Sequence, residues 1–554
     1  MTTERHDVVI AGSGFAATLL ARLLLRAGRE ALVVERGRHP RFALGESSTP
    51  LAAIALERLA RRWGLPDLAD LGTWSRWRAR LPGLGRGLKR GFTFYFHRPG
   101  EPWRPAPAGA PPNRDRLLVA ASPSDEVADL HWLRADLDHH LVRRARAEGI
   151  EVREQTRLDG AEETADGVVL RGECRGRPVT LHAAFVVDAT GPGGFLARAL
   201  GLAEAAVATP PTGLLFTHLH GARPLAEAAA EAAGRAGGDP LDLEAGPYPD
   251  ERAAVHHLIA GGWMYALRFD GPEGGGDGAV SAGFVLDPGG AAAAEAALAA
   301  RDPAAAWRRL LDRYPTLGAQ FEAAEPAPPI AWLPRLPRRS ARAAGRRWAL
   351  LPHAYAFYDP LFSTGIAWSL VGIERLVGML AGGARGAAPA APALARYDAL
   401  LAAEAGHVDR VIAGAWLAMP DPELFAAYSM LYFAAASFAE SRQRLGPDDH
   451  PWADEGFLGA TDPALAAALA AALAALARLD PGRRPPAAGE RRAFAERIAS
   501  AIAPRNLAGL ADPRRRNLYP VDLEALVAGA GLLGMTPAAV RAALPRVLRA
   551  PVLS

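Results

Sequence analysis

The 554-residue sequence has one cysteine and one lysine. A lone Cys174 cannot close an internal disulfide, so the expected setting is a reducing one, the cytoplasm. The net charge is only +3 and no dense basic block carries interleaved aromatics, so nucleic acid is not an expected partner. The N-terminal stretch MTTERHDVVIAGSG lacks the basic and apolar regions of a signal peptide. Long apolar runs are also missing. The nearest is PALAAALAAALAALARLD at 463–480, where Leu465, Leu469, Leu473 and Leu476 share one helical face. Asp462 and Pro463 would cap this helix, and its alanine content predicts packing against protein rather than stable membrane insertion. Walker A loops, GxSxG elbows and zinc-like ligand spacings are absent as well. His218, His220, His256 and His257 are therefore read as strand histidines and no metal is expected.

What is present begins at the N-terminus. HDVVIAGSGFAATLLARLLLRAGREALVVERG reads as strand, tight turn, helix, strand. The turn is Gly12-Ser13-Gly14-Phe15-Ala16-Ala17, the GxGxxA form of the dinucleotide fingerprint. Gly12 permits the turn, Gly14 lets the backbone approach a pyrophosphate, and Ala17 allows close helix–strand packing. The helix N-terminus adds free amides and a positive dipole end. Glu35, at the end of the second strand, is placed to accept ribose hydroxyls.

Five further segments complete a pattern. They are GESSTP with Glu46 and Ser47, the sole lysine Lys89 followed by Gly91, and Arg134 four residues before Asp138 on a helix. The other two are Asp188-Ala-Thr-Gly191 at a strand end and DPLFSTG with Asp359, Thr364 and Gly365. In this order the motifs resemble the flavin-dependent halogenases and their monooxygenase relatives, the tryptophan-halogenase-like flavoproteins of the glutathione-reductase type. The resemblance implies FAD held by residues 12–17, Glu35, Glu46, Ser47, Arg134, Asp188, Gly191, His353, Asp359 and Gly365. It also implies a halide ion on the amides of Thr364 and Gly365. In that family reduced FAD and oxygen turn halide into hypohalous acid, which a lysine delivers to an electron-rich ring. Lys89 stands at that lysine's place. An arginine there would keep the charge but lose the compact, ionisable amine.

Three positions depart from the family's pattern. Its WxWxIP segment corresponds to GGWMYALRFD, which keeps Trp263 but has Tyr265 for the second tryptophan and Leu267-Arg268 for the last pair. Pro352-His353 replaces a Gly-Asp pair, and Phe362 stands where free-tryptophan halogenases carry a glutamate. Free tryptophan is therefore not the expected substrate.

The fold expected is α/β. It comprises a Rossmann-type FAD-binding domain from 1–205 and 345–380, an inserted antiparallel substrate-domain sheet at 206–344, and a C-terminal helical region at 385–554. The proline-rich stretch 102–115 is expected to be a surface loop. The leading functional expectation is halogenation of an aromatic substrate, free or carrier-bound, with reduced flavin supplied by a separate reductase. A hydroxylating monooxygenase, an alkene reductase and a non-catalytic flavin-bound assembly factor remain as alternatives.

Overall fold

The computed structural model describes residues 4–547 apart from 108–109, 111–113, 238–245, 272–277, 447–453, 513–514 and 516–517. Five residues of the proline-rich stretch thus lie outside the described residues.

The first sheet is built on the strand Glu4–Ala11, whose inner residues Val8, Val9 and Ile10 are fully buried. It runs parallel to Ala31–Val34 on one side and to Arg177–Asp188 on the other. Glu151–Arg153 extends the parallel run beyond Ala31–Val34, and Trp348–Leu350 pairs with the end of Arg177–Asp188. Val168–Cys174 and Thr156–Glu163 complete this seven-stranded sheet in antiparallel fashion. The fingerprint helix Phe15–Arg26 packs Leu19, Leu20, Leu23 and Leu24 out of water. Each buried leucine of this kind is worth about 1.5–3 kcal/mol, so the leucine stripe anchors the helix to the sheet. Arg22 on the same helix is also buried, tied to Glu148 at 2.6 Å and to Asp67.

The second sheet has nine strands, Gly262–Arg268 and Val280–Leu286 at its middle. Its central neighbours Gly213–His220 and Ala254–Ile259 also come from 206–344. Gly91–Phe96, Arg116–Ala120 and Leu518–Tyr519 join from outside that range. Gly91–Phe96 pairs in parallel with Ala254–Ile259, a long-range match that alternation in the sequence cannot specify. Gly91 sits where a Cβ would come 2.6 Å from the Tyr248 hydroxyl and closer still to the Val119 carbonyl. The glycine after Lys89 is thus required by a close chain crossing.

Arg86–Lys89 forms a separate ribbon with Asp129–Trp132. The helix Gly365–Ala381 packs on Phe15–Arg26, and the helices Ala391–Ala418, Pro422–Leu445, Pro463–Leu479 and Ala488–Ile502 pack against one another. Asp462 caps the alanine-rich helix by accepting from the amides of Ala464 and Leu465, and Leu465, Leu469 and Leu476 are buried. Among the described residues no helix is long and apolar enough to cross a membrane.

Candidate functional site

Two cavities flank the N-terminus of the Gly365–Ala381 helix. The larger, about 720 Å³, is walled by Gly12, Gly14, Phe15, Ala16, Glu35, Arg134, Gly191 and His353. Gly12 has φ +97°, a left-handed conformation that favours glycine, and a Cβ there would meet the Ala189 carbonyl oxygen at 2.6 Å. The first and second glycine turns of the chain therefore touch. Gly14 leaves room for Arg134, whose Nη2 would lie 3.2 Å from an added Cβ. Arg134 donates to Asp138 through Nε and Nη2 at 3.0 and 2.9 Å, and to the carbonyls of Leu44 and Gly45 through Nη1. Its guanidinium also lies over the Phe15 ring at 4.8 Å. The buried Asp138 in turn accepts from the Phe15 amide at 3.0 Å, so one amide of the helix N-terminus is already occupied.

Glu35 accepts from the Ser13 hydroxyl at 2.7 Å, the Gly37 amide at 2.8 Å and Arg41 at 3.1 Å. Burial raises its carboxyl pKa, but Arg41 and these donors outweigh that and hold it ionised, as a hydroxyl acceptor must be. Burial, assisted by Arg134 and Arg338, pushes His353 down to about 4 and keeps its imidazole neutral on the cavity wall. A glycine-lined, positive-φ turn with a cationic Arg134 and an ionised Glu35 fits the phosphates and ribose of a dinucleotide, and the volume suits a cofactor of that size.

Other expected cofactor residues lie off this wall. Asp188 is fully buried and organises the second turn, accepting from Thr190 and from the Leu196 amide at 2.7 Å. Glu46 turns toward His218, whose Nε2 is 3.1 Å from its carboxylate. Ser47 bridges to His131 of the lysine ribbon. Asp359 accepts from the Leu361 amide at 2.9 Å and from the indoles of Trp416 and Trp263 at 3.0 and 3.4 Å. Burial raises Asp359 to about 6 against the pull of these donors. Trp263 is the tryptophan retained from the altered WxWxIP segment, so that segment acts on the DPLFSTG loop through Asp359. Trp416 was not visible as part of this arrangement, because it lies on an alanine-rich helix with no motif around it.

The smaller cavity, about 170 Å³, is lined by Thr49, Phe92, Thr364, Tyr432 and Phe433 among others. Thr364 precedes the first residue of the Gly365–Ala381 helix, and Ser363 before it takes φ +51° to make the turn. Gly365 lies against the His353 imidazole, where a Cβ would approach Cε1 to 2.6 Å. One helix terminus therefore stands between both spaces. Phe362 is fully buried, stacked on Tyr432 with ring centroids 4.4 Å apart.

Lys89 lies beside the small cavity with no exposed surface. Its amine donates to the Ser48 carbonyl at 2.6 Å and sits 4.2 Å from the centroid of the cavity-lining Phe92. A charge-assisted bond contributes about 1.5–3 kcal/mol and a cation–π contact about 0.5–2, against a desolvation cost of several kcal/mol. Burial wins, and the amine pKa falls well below that of an ordinary lysine although the Asp129 charge pulls it back up.

The class that this architecture defines is the glutathione-reductase-type flavoprotein fold as it is built in the flavin-dependent halogenases. The halogenase PltM, solved with phloroglucinol and FAD, superposes with a TM-score of 0.78 at 24% identity, covering 93% of this chain and 99% of that one. In sequence the chain is similar to the tetracycline 7-halogenase of Kitasatospora aureofaciens, 29% identical over 371 residues, 65% of this chain and 61% of that protein. It is 27% identical over 379 residues to the monodechloroaminopyrrolnitrin halogenase PrnC of Pseudomonas fluorescens, 68% of this chain and 62% of that protein. The chain thus spans about three-fifths of the length of these curated relatives. No family model matches it.

Proposed function

We propose that this protein is an FAD-dependent halogenase acting on an electron-rich aromatic substrate, free or carrier-bound, with Lys89 as the residue that delivers the halogen. The observation that carries this reading is the position of the chain's only lysine. It is buried behind Phe92, beside a cavity that Thr364 also lines.

Gly12, Gly14, Glu35, Arg134 and His353 would hold FAD along the larger cavity. Bound there, reduced FAD would supply the oxygen activation that oxidises halide. Thr364 and Gly365 would offer backbone amides to the halide at a helix N-terminus, where the dipole favours an anion. The aromatic rings of Phe92, Tyr432 and Phe433 line this cavity and offer apolar surface to an aromatic guest. The low-dielectric setting leaves Lys89 able to present a neutral amine near neutral pH. A separate reductase would supply reduced flavin, and a cytoplasmic location accords with the single free cysteine.

The test is halogenated product formed per flavin oxidised, with reduced FAD, oxygen, bromide and a panel of phenols, pyrroles and indoles. The parent should halogenate. Lys89→Ala and Lys89→Arg should both lose product while flavin oxidation continues. A second reading, direct hydroxylation, is favoured by Tyr265 and Leu267-Arg268 in the altered WxWxIP segment. Hydroxylated product with substantial activity in Lys89→Arg would select it instead.

A further inference from the structure

The Lys89 reading leaves one buried ionisable group beside it without a task. Asp129 pairs directly opposite Lys89 in the ribbon of Arg86–Lys89 with Asp129–Trp132. Directly paired residues of an antiparallel ribbon point to the same face with Cβ atoms about 4.5–5.5 Å apart. Asp129 is only 2% exposed, and its Oδ2 finds no hydrogen-bond partner. The Lys89 amine meanwhile donates to the Ser48 carbonyl. A buried carboxylate without a full set of donors is costly, and a buried fold keeps such a group only with an opposite charge at hand.

We propose that Asp129 is the positioning residue that sets the charge of Lys89, so that the two side chains together hold one proton when the amine meets the halogen donor. The proposal rests on the halogen-delivery reading of Lys89 and adds a second residue to it. The two forms of the pair carry the same proton either as an N–H of the ammonium or as an O–H of the carboxyl; the groups act on each other through their charges, and no hydrogen bond joins them for direct transfer. No electrons are transferred, and the net charge of the pair stays at zero. The amine can therefore become nucleophilic without leaving an isolated charge in the apolar interior.

The other groups around the pair are consistent with this role. His131, two residues along the same strand, is fully buried, and burial together with the Lys89 charge holds it neutral against a backbone contact at Ala253. His256, on the strand Ala254–Ile259, is held neutral by burial and by Lys89 in the same way. From the helix Pro422–Leu445 come Tyr432, Glu440 and Arg444, and Glu440 and Arg444 pair with each other at 3.0 Å. Their opposite charges act on Asp129 in opposite directions. Burial raises the Asp129 carboxyl, Lys89 lowers it, and the balance lies above the ordinary carboxylate range. Asp129 is thus the carboxylate through which the charge of Lys89 is set.

Because Lys89 is the only lysine, biosynthetic labelling with 13Cε-lysine gives a single resonance whose titration reports this one amine. Asp129→Asn removes the negative charge at constant shape, and the Lys89 midpoint should move to lower pH by about one unit or more. Asp129→Glu should hold it near the parent value, and Asp129→Ser should follow the asparagine variant. Any two folded members of the series that differ in charge decide the matter. Equal midpoints in the charged and uncharged members would overturn the proposal. The same downward displacement should appear in the pH limb of product formed per flavin oxidised, whereas a merely structural role would lower the rate and leave the limb in place. If the parent makes no halogenated product, the functional reading fails, and the resonance still decides the Lys89–Asp129 coupling separately.

Discussion

Gly365 provides a direct test of the wall between the two cavities. It is the first residue of the Gly365–Ala381 helix, where the gain from replacing glycine by alanine is no more than the roughly 0.5–1 kcal/mol of a helix interior. Here the added methyl would meet His353 Cε1 at 2.6 Å and Nε2 closer still, and His353 is itself packed on the wall of the larger cavity. Overpacking of this kind costs about 1–3 kcal/mol, so contact outweighs propensity. Gly378 on the same helix has nothing within 4 Å of an added Cβ and serves as the control. Gly378→Ala should match or exceed the parent in thermal unfolding. Gly365→Ala should unfold earlier and bind FAD roughly 5–30-fold more weakly, the equivalent of about 1–2 kcal/mol. Removing the imidazole as well, in Gly365→Ala/His353→Ala, should recover part of the stability, because the two sites are in contact and their effects are not additive. The reasoning is refuted if Gly365→Ala unfolds and binds FAD like Gly378→Ala.

Gly14→Val should abolish flavin absorbance in the purified protein, because its side chain projects toward Arg134 at the cavity wall; tight FAD retention would contradict the cradle. Asp359 has a folded carboxyl pKa near 6, above the ordinary 3.8, so its contribution to stability is present below about 4 and is lost as pH rises toward 6. Asp359→Asn should flatten denaturation midpoints across that window, and an unchanged pH slope would count against the assignment. Free tryptophan should give no chlorotryptophan at a useful rate, since the buried Phe362 supplies no carboxylate.

The parts legible in the sequence were those encoded by local spacing. The GxGxxA turn needs Gly12 at positive φ, and Glu35 follows the strand Ala31–Val34 that pairs beside it, an arrangement written in the continuous stretch 12–35. The cap on the alanine-rich helix is equally local, since Asp462 bonds residues two and three positions ahead. The parts not legible depend on strand register and on distant partners. Glu46 sits in the family's motif, yet its carboxylate turns to His218 on the second sheet rather than to the cavity wall. Asp359 likewise meets Trp416, whose position is fixed only once the helix Ala391–Ala418 has packed against the loop.

The same distinction explains why one lysine was conspicuous and its partner was not. In a chain that uses arginine everywhere else, Lys89 is marked by composition alone. Asp129 is one of many acidic residues, and only the antiparallel register brings it opposite Lys89. That register is in turn held by GESSTP, for the Ser48 amide donates to the Leu130 carbonyl at 3.1 Å and the Trp132 amide to the Glu46 carbonyl at 2.7 Å. GESSTP thus fixes the strand that carries Asp129 and supplies the Ser48 carbonyl to the lysine amine. A change in this loop would therefore disturb the surroundings of the Lys89 amine even where it leaves the larger cavity intact.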